Sequence, residues 1–537
     1  MPEKNRVYRA RIEGYTSEGL GVARIDGQAV FVHRALRGED CDVLILKVLK
    51  NAAFGKAVRV YEPSPHRVEP DCPYYGRCGG CDFRHMGRTE ELAAKRQRVQ
   101  DALRRIGGSA VTVEGIDGGA PLHYRNKSQY PVAADGSVGF YKARSHQVVP
   151  VAQCLIQKPQ ADAAAQALRT YIASCGVSCY DEKTRRGLVR YLYIRTNGAG
   201  QSLICVVVNG KKLPGEEELV RLLRQAAPET VGVVLGVNTQ PTGAVLGTEY
   251  RTLWGADVLT DTLCGLTFRL SVPSFYQVNR EMAERLYARA VEFAGLTGTE
   301  TVLDLYCGAG TITQVMARHA GRVIGAEIVP EAIEDAKANA KRNNVENVEF
   351  FCGDASAVAA DLAARGLRPD VICVDPPRKG LAPEVVRAAA QMAPQRIVYV
   401  SCDPATLARD VKLFGQEGYE AVRAAAVDMF PGTANVETIC LLSKLNAKQH
   451  IEINLDMDEL DLTDAEKKAT YQEIKDYVLE HSGLKVSSLY IAQVKQKCGI
   501  IERENYNKPK SEDAKQPQCP PDKEKAIKEA LTHFGMI

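Results

Sequence analysis

From Thr301 the sequence settles into a repeated strand–turn–helix rhythm that few folds accept. Short apolar strands are read at Thr301–Tyr306, Arg322–Ile328, Val348–Phe351, Val371–Val374 and Arg396–Ser401. Helical stretches lie between them, among them Pro330–Asn343, Pro383–Met392 and Pro404–Gln416. Strands alternating with helices at this spacing make a doubly wound, parallel α/β sheet. Such a sheet binds its ligand at the carboxyl ends of its strands. Residues that directly follow a strand are therefore the first candidates for chemistry. Val436–Leu442 reads as a last, antiparallel strand.

The rest of the chain does not share this rhythm. At 537 residues it has length for about three to four domains. Five short strands are read in the first 61 residues: Val7–Ile12, Gly21–Ile25, Ala29–His33, Cys41–Val48 and Lys56–Val60. Turn signals such as Asp26-Gly27 and Arg37-Gly38 separate them. This predicts a small five-stranded barrel of the oligonucleotide-binding kind, decorated by Arg9, Arg11, Arg24, Arg34, Lys47, Lys50, Lys56 and Arg59. Residues 62–265 read as a central α+β domain that opens on a cysteine-rich loop and a helix from Thr89 to Ile106. Residues 266–445 are the α/β domain, and 446–537 a small helical extension, with a capping box at Thr463 and Glu466. The net charge is +3, yet from Asn446 onward 14 basic residues face 17 acidic ones, so the front of the chain carries the positive excess. That bias suits a polyanionic partner. The polar N-terminus lacks a signal-like apolar core, and no run approaches the ~18 apolar residues of a membrane span. The expectation is a cytoplasmic protein without membrane contact.

Four segments place reactive groups at strand ends. Asp304-Leu-Tyr306-Cys-Gly308-Ala-Gly310 follows the first strand of the α/β unit, where glycines let the backbone approach a ligand at a helix N-terminus. Glu327 closes the next strand, placed to accept from ribose hydroxyls. The ligand is then a dinucleotide or S-adenosylmethionine. Asp375-Pro-Pro-Arg378-Lys-Gly380 favours the latter, because paired prolines make a rigid loop with bare carbonyl acceptors, fit to hold a planar base. Cys402 ends the following strand ahead of a helix starting at Pro404, a position that favours a thiolate nucleophile. Glu437 opens the last strand as a candidate general base. Separately, Cys72-x5-Cys78-x2-Cys81 with Cys154 supplies four thiolates. Zinc is the immediate choice for Cys-x2-Cys, and four thiolates also hold iron–sulfur clusters.

The segments DLYCGAGT, DPPRKG, YVSCDPATLARD and DMFPGTANVET, in this order, resemble the RNA uracil-5 methyltransferase family, the RumA and TrmA group, over roughly residues 7–445. The front barrel, EGLGVARIDGQAVFVHRALRGE, resembles a TRAM domain. The resemblance implies Cys402 as nucleophile and Glu437 as base. It implies Gln277, Tyr306, Glu327 and Asp375 as cofactor-binding residues for S-adenosylmethionine, with Asp354 a lesser candidate for the adenine edge. It also implies a 4Fe-4S cluster on Cys72, Cys78, Cys81 and Cys154. Cluster and TRAM barrel together resemble the branch that acts on 23S ribosomal RNA. A tRNA methyltransferase is the alternative within the class, and a catalytically inactive iron–sulfur RNA-binding or redox-sensing protein the alternative outside it. The expected partner is RNA, not DNA, and the expected state a monomer. Three positions depart from the family pattern: Asp403 stands where Asn is common, Asn435 where His is common, and Arg37 where Pro is usual.

Overall fold

In the computed structural model, which describes residues 1–445, 471–498, 519–534 and 536, the repeats from Thr301 build most of an eight-stranded sheet. Its order is Val348–Cys352, Arg322–Glu327, Thr301–Leu305, Val371–Val374, Arg396–Ser401, Glu437–Lys444, Tyr419–Val427 and Val113–Asp117. The strand order reverses between Thr301–Leu305 and Val371–Val374, and the cleft of a doubly wound sheet opens at that reversal. Glu437–Lys444 runs antiparallel to both of its neighbours. One face of the sheet packs on a core that includes Leu407, Val385, Ala359 and Leu103, each from a different helix. The other face is covered by the helix Arg280–Ala294 and the hairpin around Leu263–Leu270.

The far edge of this sheet comes from a part of the chain read as belonging elsewhere. Val113–Asp117 pairs with Tyr419–Val427, and the helix Arg88–Arg105 contributes Val99 and Leu103 to the sheet's core. Both elements lie inside the 62–265 stretch assigned to the central domain, so the catalytic sheet draws on that stretch. The remainder of 62–265 forms a five-stranded sheet in the order Glu249–Gly255, Thr230–Val237, Ser202–Val208, Val189–Thr196 and Lys127–Pro131. Two helices, Pro159–Ser174 and Glu216–Ala226, pack on one of its faces through Leu168, Leu219 and Leu223.

The N-terminal barrel has six strands rather than five, because Gly14–Tyr15 adds a short one beside Gly21–Ile25. Val30, Val32, Val43 and Ile45 fill its interior. Its Leu36 packs with Phe83, Met86 and Ala434, so barrel, cysteine loop and α/β domain meet at one point. Arg37 fastens the same junction. Its backbone N–H donates to the Tyr15 hydroxyl at 3.0 Å and its guanidinium to Glu90 at 3.1 Å. The proline usual at this position has no N–H to make the first of these bonds.

The chain divides into two compact units, Met1–Ala447 and Lys448–Ile537. The described residues of the second form three helices, Tyr471–Ser482, Ser488–Lys497 and Pro521–His533, around Ile474, Ile491, Val494 and Ile527. The capping box expected at Thr463 and Glu466 lies outside the described residues. Among the described residues no helix is long and apolar enough to cross a membrane.

Candidate active site

The strand pairing itself brings the two expected reactive groups together. Ser401 is in register with Thr438, so the next residues outward, Cys402 and Glu437, face each other where the two strands end. Asp375 follows the neighbouring strand Val371–Val374. Cys402 is partly buried, and Glu437 is only 4% exposed. Burial pushes the Glu437 carboxyl up to about 8, Asp375 adds to the rise, and Arg378 opposes it. Burial likewise holds Asp375 at about 7. The Cys402 thiol is pushed up to about 11 by burial and then by Glu437, again with Arg378 acting in the opposite sense.

Burial and the neighbouring Glu437 thus oppose the thiolate that the following helix would favour. Asp403 caps that helix, Pro404–Gln416, its carboxylate accepting from Ala405 N at 2.8 Å and Thr406 N at 3.4 Å. Arg378, part of a motif quoted for its prolines, is the cation that eases ionisation of both reactive groups.

The glycine loop forms the other wall. Asp304 is fully buried, accepts the Thr313 hydroxyl at 2.5 Å, and is pushed up to about 8 by burial, with Asp375 and Glu327 adding to the rise. Gly308 and Gly310 have φ of +54° and +74°. A side chain at Gly310 would meet Ala336 and Phe350 at 3.1–3.2 Å, so this turn needs glycine on both counts. Glu327 accepts from Gly308 N at 3.2 Å and Val329 N at 3.0 Å, bracing the loop it was expected to serve. Tyr306 also has positive φ, +72°, and its hydroxyl is pushed up to about 12 by burial and then by Asp354. Asp354 caps the helix Ala355–Ala364 through Ser356 N and Ala357 N, which commits one of its oxygens. Gln277 is buried in the segment before Arg280–Ala294, its carbonyl accepting from Asn126 Nδ2 at 2.9 Å. Beside it Phe275 is 64% exposed, with the Lys127 ammonium 5.9 Å from its ring. Burial, then Arg195 and Arg125, lower Lys127 to about 8. The only sequence signal for this pair was the basic run Arg125-Asn126-Lys127. Asp304, Glu327 and Asp375 thus bring three carboxyls to this side of the cleft, and burial opposes ionisation of Asp304 and Asp375.

The model of the tRNA (uracil-5-)-methyltransferase family matches residues 88–445. The chain belongs to this family. The match begins at the first residue of the helix Arg88–Arg105, which the fold also joins to the catalytic sheet. A TRAM domain model matches residues 3–58. This uracil-5 methyltransferase family member is 43% identical to an uncharacterized RNA methyltransferase of Clostridium tetani over 83% of this chain and 98% of that one. A second such protein, from Halalkalibacterium halodurans, is 42% identical over 82% and 98%. Among solved structures, the tRNA (uracil-54, C5)-methyltransferase of Pyrococcus abyssi in complex with S-adenosyl-L-homocysteine matches with a TM-score of 0.66. It is 26% identical and covers 81% of this chain and 99% of that one. The protein is thus an S-adenosylmethionine-dependent RNA methyltransferase of the uracil-5 family.

Cys72, Cys78 and Cys81 lie between the two matched regions, and Cys154 lies inside the second. All four nonetheless line one cavity of about 250 Å³, with Phe140 and Ile156 among its apolar walls. None is in a disulfide. Among the described residues no three His, Cys, Asp or Glu side chains are grouped so as to hold a metal ion.

Proposed function

We propose that this enzyme methylates C5 of a uridine in 23S ribosomal RNA through a covalent adduct between Cys402 and C6 of the base. The observation that carries the reading is the facing pair Cys402 and Glu437 at the carboxyl end of the sheet, beside Asp375 and Arg378. Uracil C5 is a weak nucleophile. The Cys402 thiol gives its proton to solvent, with Arg378 favouring the ionised form, and addition of the thiolate to C6 pushes the ring electrons into an enolate, which makes C5 nucleophilic. S-adenosylmethionine supplies the methyl group that C5 takes. Glu437 then removes the C5 proton, the enolate re-forms, and the C6–sulfur bond breaks to release Cys402 as thiolate. Asp375 and its prolines hold the base, which must be unstacked to enter. Gln277, Tyr306 and Glu327 bind the cofactor, with Asp354 at its adenine end.

The ribosomal substrate is supported by the combination of the barrel and the four-cysteine loop that meets it at Leu36 and Phe83. The likeness to the Pyrococcus abyssi tRNA enzyme favours the second reading, a uridine in tRNA. Mapping 5-methyluridine in the ribosomal and transfer RNA of a deletion strain decides between them. Loss from tRNA with ribosomal RNA unchanged would reject the first reading.

In the same reading Cys72, Cys78, Cys81 and Cys154 hold a 4Fe-4S cluster. What supports this is that the four thiols share one cavity. Anaerobically purified protein is expected to contain iron and sulfide and to absorb broadly near 400 nm (roughly where thiolate-bound clusters absorb). Cys78→Ser should lose the iron and lower the melting temperature, because binding energy here is also folding energy. Stoichiometric zinc without sulfide would reject the cluster.

The barrel's part in RNA binding narrows to a few groups. Arg9, Arg11 and Arg24 are paired with Asp40, Glu62 and Glu13. Lys47, Lys50 and Lys56 are exposed and have no ion pair among the described residues. Replacing these three by Gln should weaken RNA binding and reduce the slope of log affinity against log salt by about 0.7 for each phosphate that is no longer neutralised. An unchanged slope would remove the barrel strands from the RNA interface. Deleting the whole barrel would not test this, since it would also uncover Phe83 and Met86.

A further inference from the structure

The segment that leads into Glu437 has no regular structure of its own, yet its backbone is held at almost every residue. Asn279 donates to the Met429 carbonyl at 3.2 Å, Lys95 to Phe430 at 3.1 Å and the Tyr124 hydroxyl to Pro431 at 3.0 Å. Arg98 donates to the Ala434 carbonyl at 2.6 Å, and Gly432 N–H donates to Glu91 at 2.6 Å. These partners come from the helix Arg88–Arg105, from Tyr124 or from Asn279, which caps the helix Arg280–Ala294. One further set comes from the cysteine loop. Asp82 N and Phe83 N both donate to the Gly432 carbonyl, at 2.8 and 3.0 Å. The Asp82 carboxylate accepts from Ala434 N at 2.9 Å.

Asp82 is the residue directly after Cys81. The two loops approach so closely that a side chain at Gly432 would come within 3.8 Å of the Cys81 sulfur. Gly432 also has φ of +80°, so both the turn and the approach favour glycine. Ala434 lies three residues before Glu437 and packs on Phe83. A shift of this segment therefore moves the start of the strand that carries the carboxylate.

We infer that Asp82 is a positioning residue for Glu437, and that through it the four-cysteine loop sets the proton-removal step of the reaction. The inference rests on the reading of Glu437 as the base. Asp82 is remote from the thiol addition, which Cys402 performs from a different strand. Its loss should therefore slow release of the methylated base and leave addition to C6 unchanged. Asn keeps an acceptor oxygen for Ala434 N–H, and Ala does not.

The test uses the full chain with Asp82→Ala and Asp82→Asn. Each is given uridine RNA with methyl-labelled cofactor, and separately 5-fluorouridine RNA, on which fluorine cannot leave as a proton does. With Asp82→Ala the labelled, denaturation-resistant adduct should rise about tenfold, the scale of one hydrogen bond to a charged group. Trapping on 5-fluorouridine RNA should proceed at the wild-type rate. Hydrogen exchange at residues 432–434 should speed by about the same factor, which reads the loop without reference to activity. Asp82→Asn should restore both measures. The inference is overturned by wild-type adduct levels in Asp82→Ala, by equal slowing of addition and release, or by a variant that does not fold. A residue that only aligns one loop is not required for folding. If wild-type enzyme itself forms no adduct on 5-fluorouridine RNA, the covalent reading fails instead, and that result is separate from the behaviour of Asp82.

Discussion

Replacing Cys402 with alanine abolishes methyl transfer and every covalent enzyme–RNA complex, on uridine and on 5-fluorouridine RNA alike. The expected loss is about 10⁶-fold, the order seen when an enzyme loses its covalent nucleophile. Nothing else at the site replaces the sulfur. Asp375, Asp304 and Glu437 are carboxyls whose ionisation burial opposes, and Arg378 is a cation. The change should leave the fold intact, because Cys402 lies at a strand end and is only partly buried. Binding of RNA and cofactor and the melting temperature should stay close to wild type. Cys402→Ser should be equally inactive, since a hydroxyl is far less acidic than a thiol already pushed up to about 11. Methylation that survived in Cys402→Ala would end the covalent mechanism.

Glu437→Ala gives the opposite signature. Addition to C6 and transfer of the methyl group precede the step that needs the carboxylate, so the variant should stall as a methyl-labelled adduct. Loss of a positioned base costs about 10²–10⁴-fold, and release by water sets the residual rate. The pH dependence carries the same assignment. A carboxyl raised to about 8 is mostly protonated at neutral pH and cannot take the C5 proton. The release rate of the wild type should rise with pH and level off above about 8, and the alanine variant should lack that limb. Stability follows with the opposite slope. The folded-state value lies above the unfolded one, so the contribution of Glu437 is fully present at acid pH and is lost as pH rises through about 8. Glu437→Gln, neutral throughout, should therefore melt higher than wild type at pH 9 and close to it at pH 5. An unlabelled Glu437→Ala that still bound both substrates would place the carboxylate earlier in the reaction.

What could be read in the sequence was what strands and their ends encode locally. Val371–Val374 and Arg396–Ser401 are short, apolar and wholly or largely buried, and the candidate residues Asp375 and Cys402 directly follow them wherever the strands go. Tyr419–Val427 was not legible. Its alanine-rich text, Tyr-Glu-Ala-Val-Arg-Ala-Ala-Ala-Val, favours a helix by composition, and only pairing on both edges makes it a strand. Val113–Asp117 is equally silent, being a five-residue strand whose partner lies some three hundred residues on. The helix after Cys402 could be read, but not the burial and the neighbouring Glu437 that raise its thiol. The helix expected from Thr89 to Ile106 could be seen, but where its basic side chains point could not. Lys95 turns inward to Glu91 and Asp428 at 2.8 and 2.6 Å, and Arg96 to the Val113 carbonyl at 2.8 Å. These are pairings across the tertiary fold, and periodicity along one helix does not contain them.

The pairing of Val113–Asp117 with Tyr419–Val427 has a consequence for how the chain is made. A ribosome delivers the helix Arg88–Arg105 and its strand long before it delivers their partners, because Lys95 and Asp428 are 333 residues apart. Until then Lys95 has only Glu91 for company, and Val99 and Leu103 have no sheet to cover. Closing so long a loop comes late and is slow. The last strands of the sheet to emerge, Tyr419–Val427 and Glu437–Lys444, fill the gap between the early strand and the growing sheet. The nascent chain therefore completes its sheet only once Glu437–Lys444 is out. Any shortened product that stops before Glu437 lacks the strand that joins Tyr419–Val427 and Val113–Asp117 to the rest of the sheet.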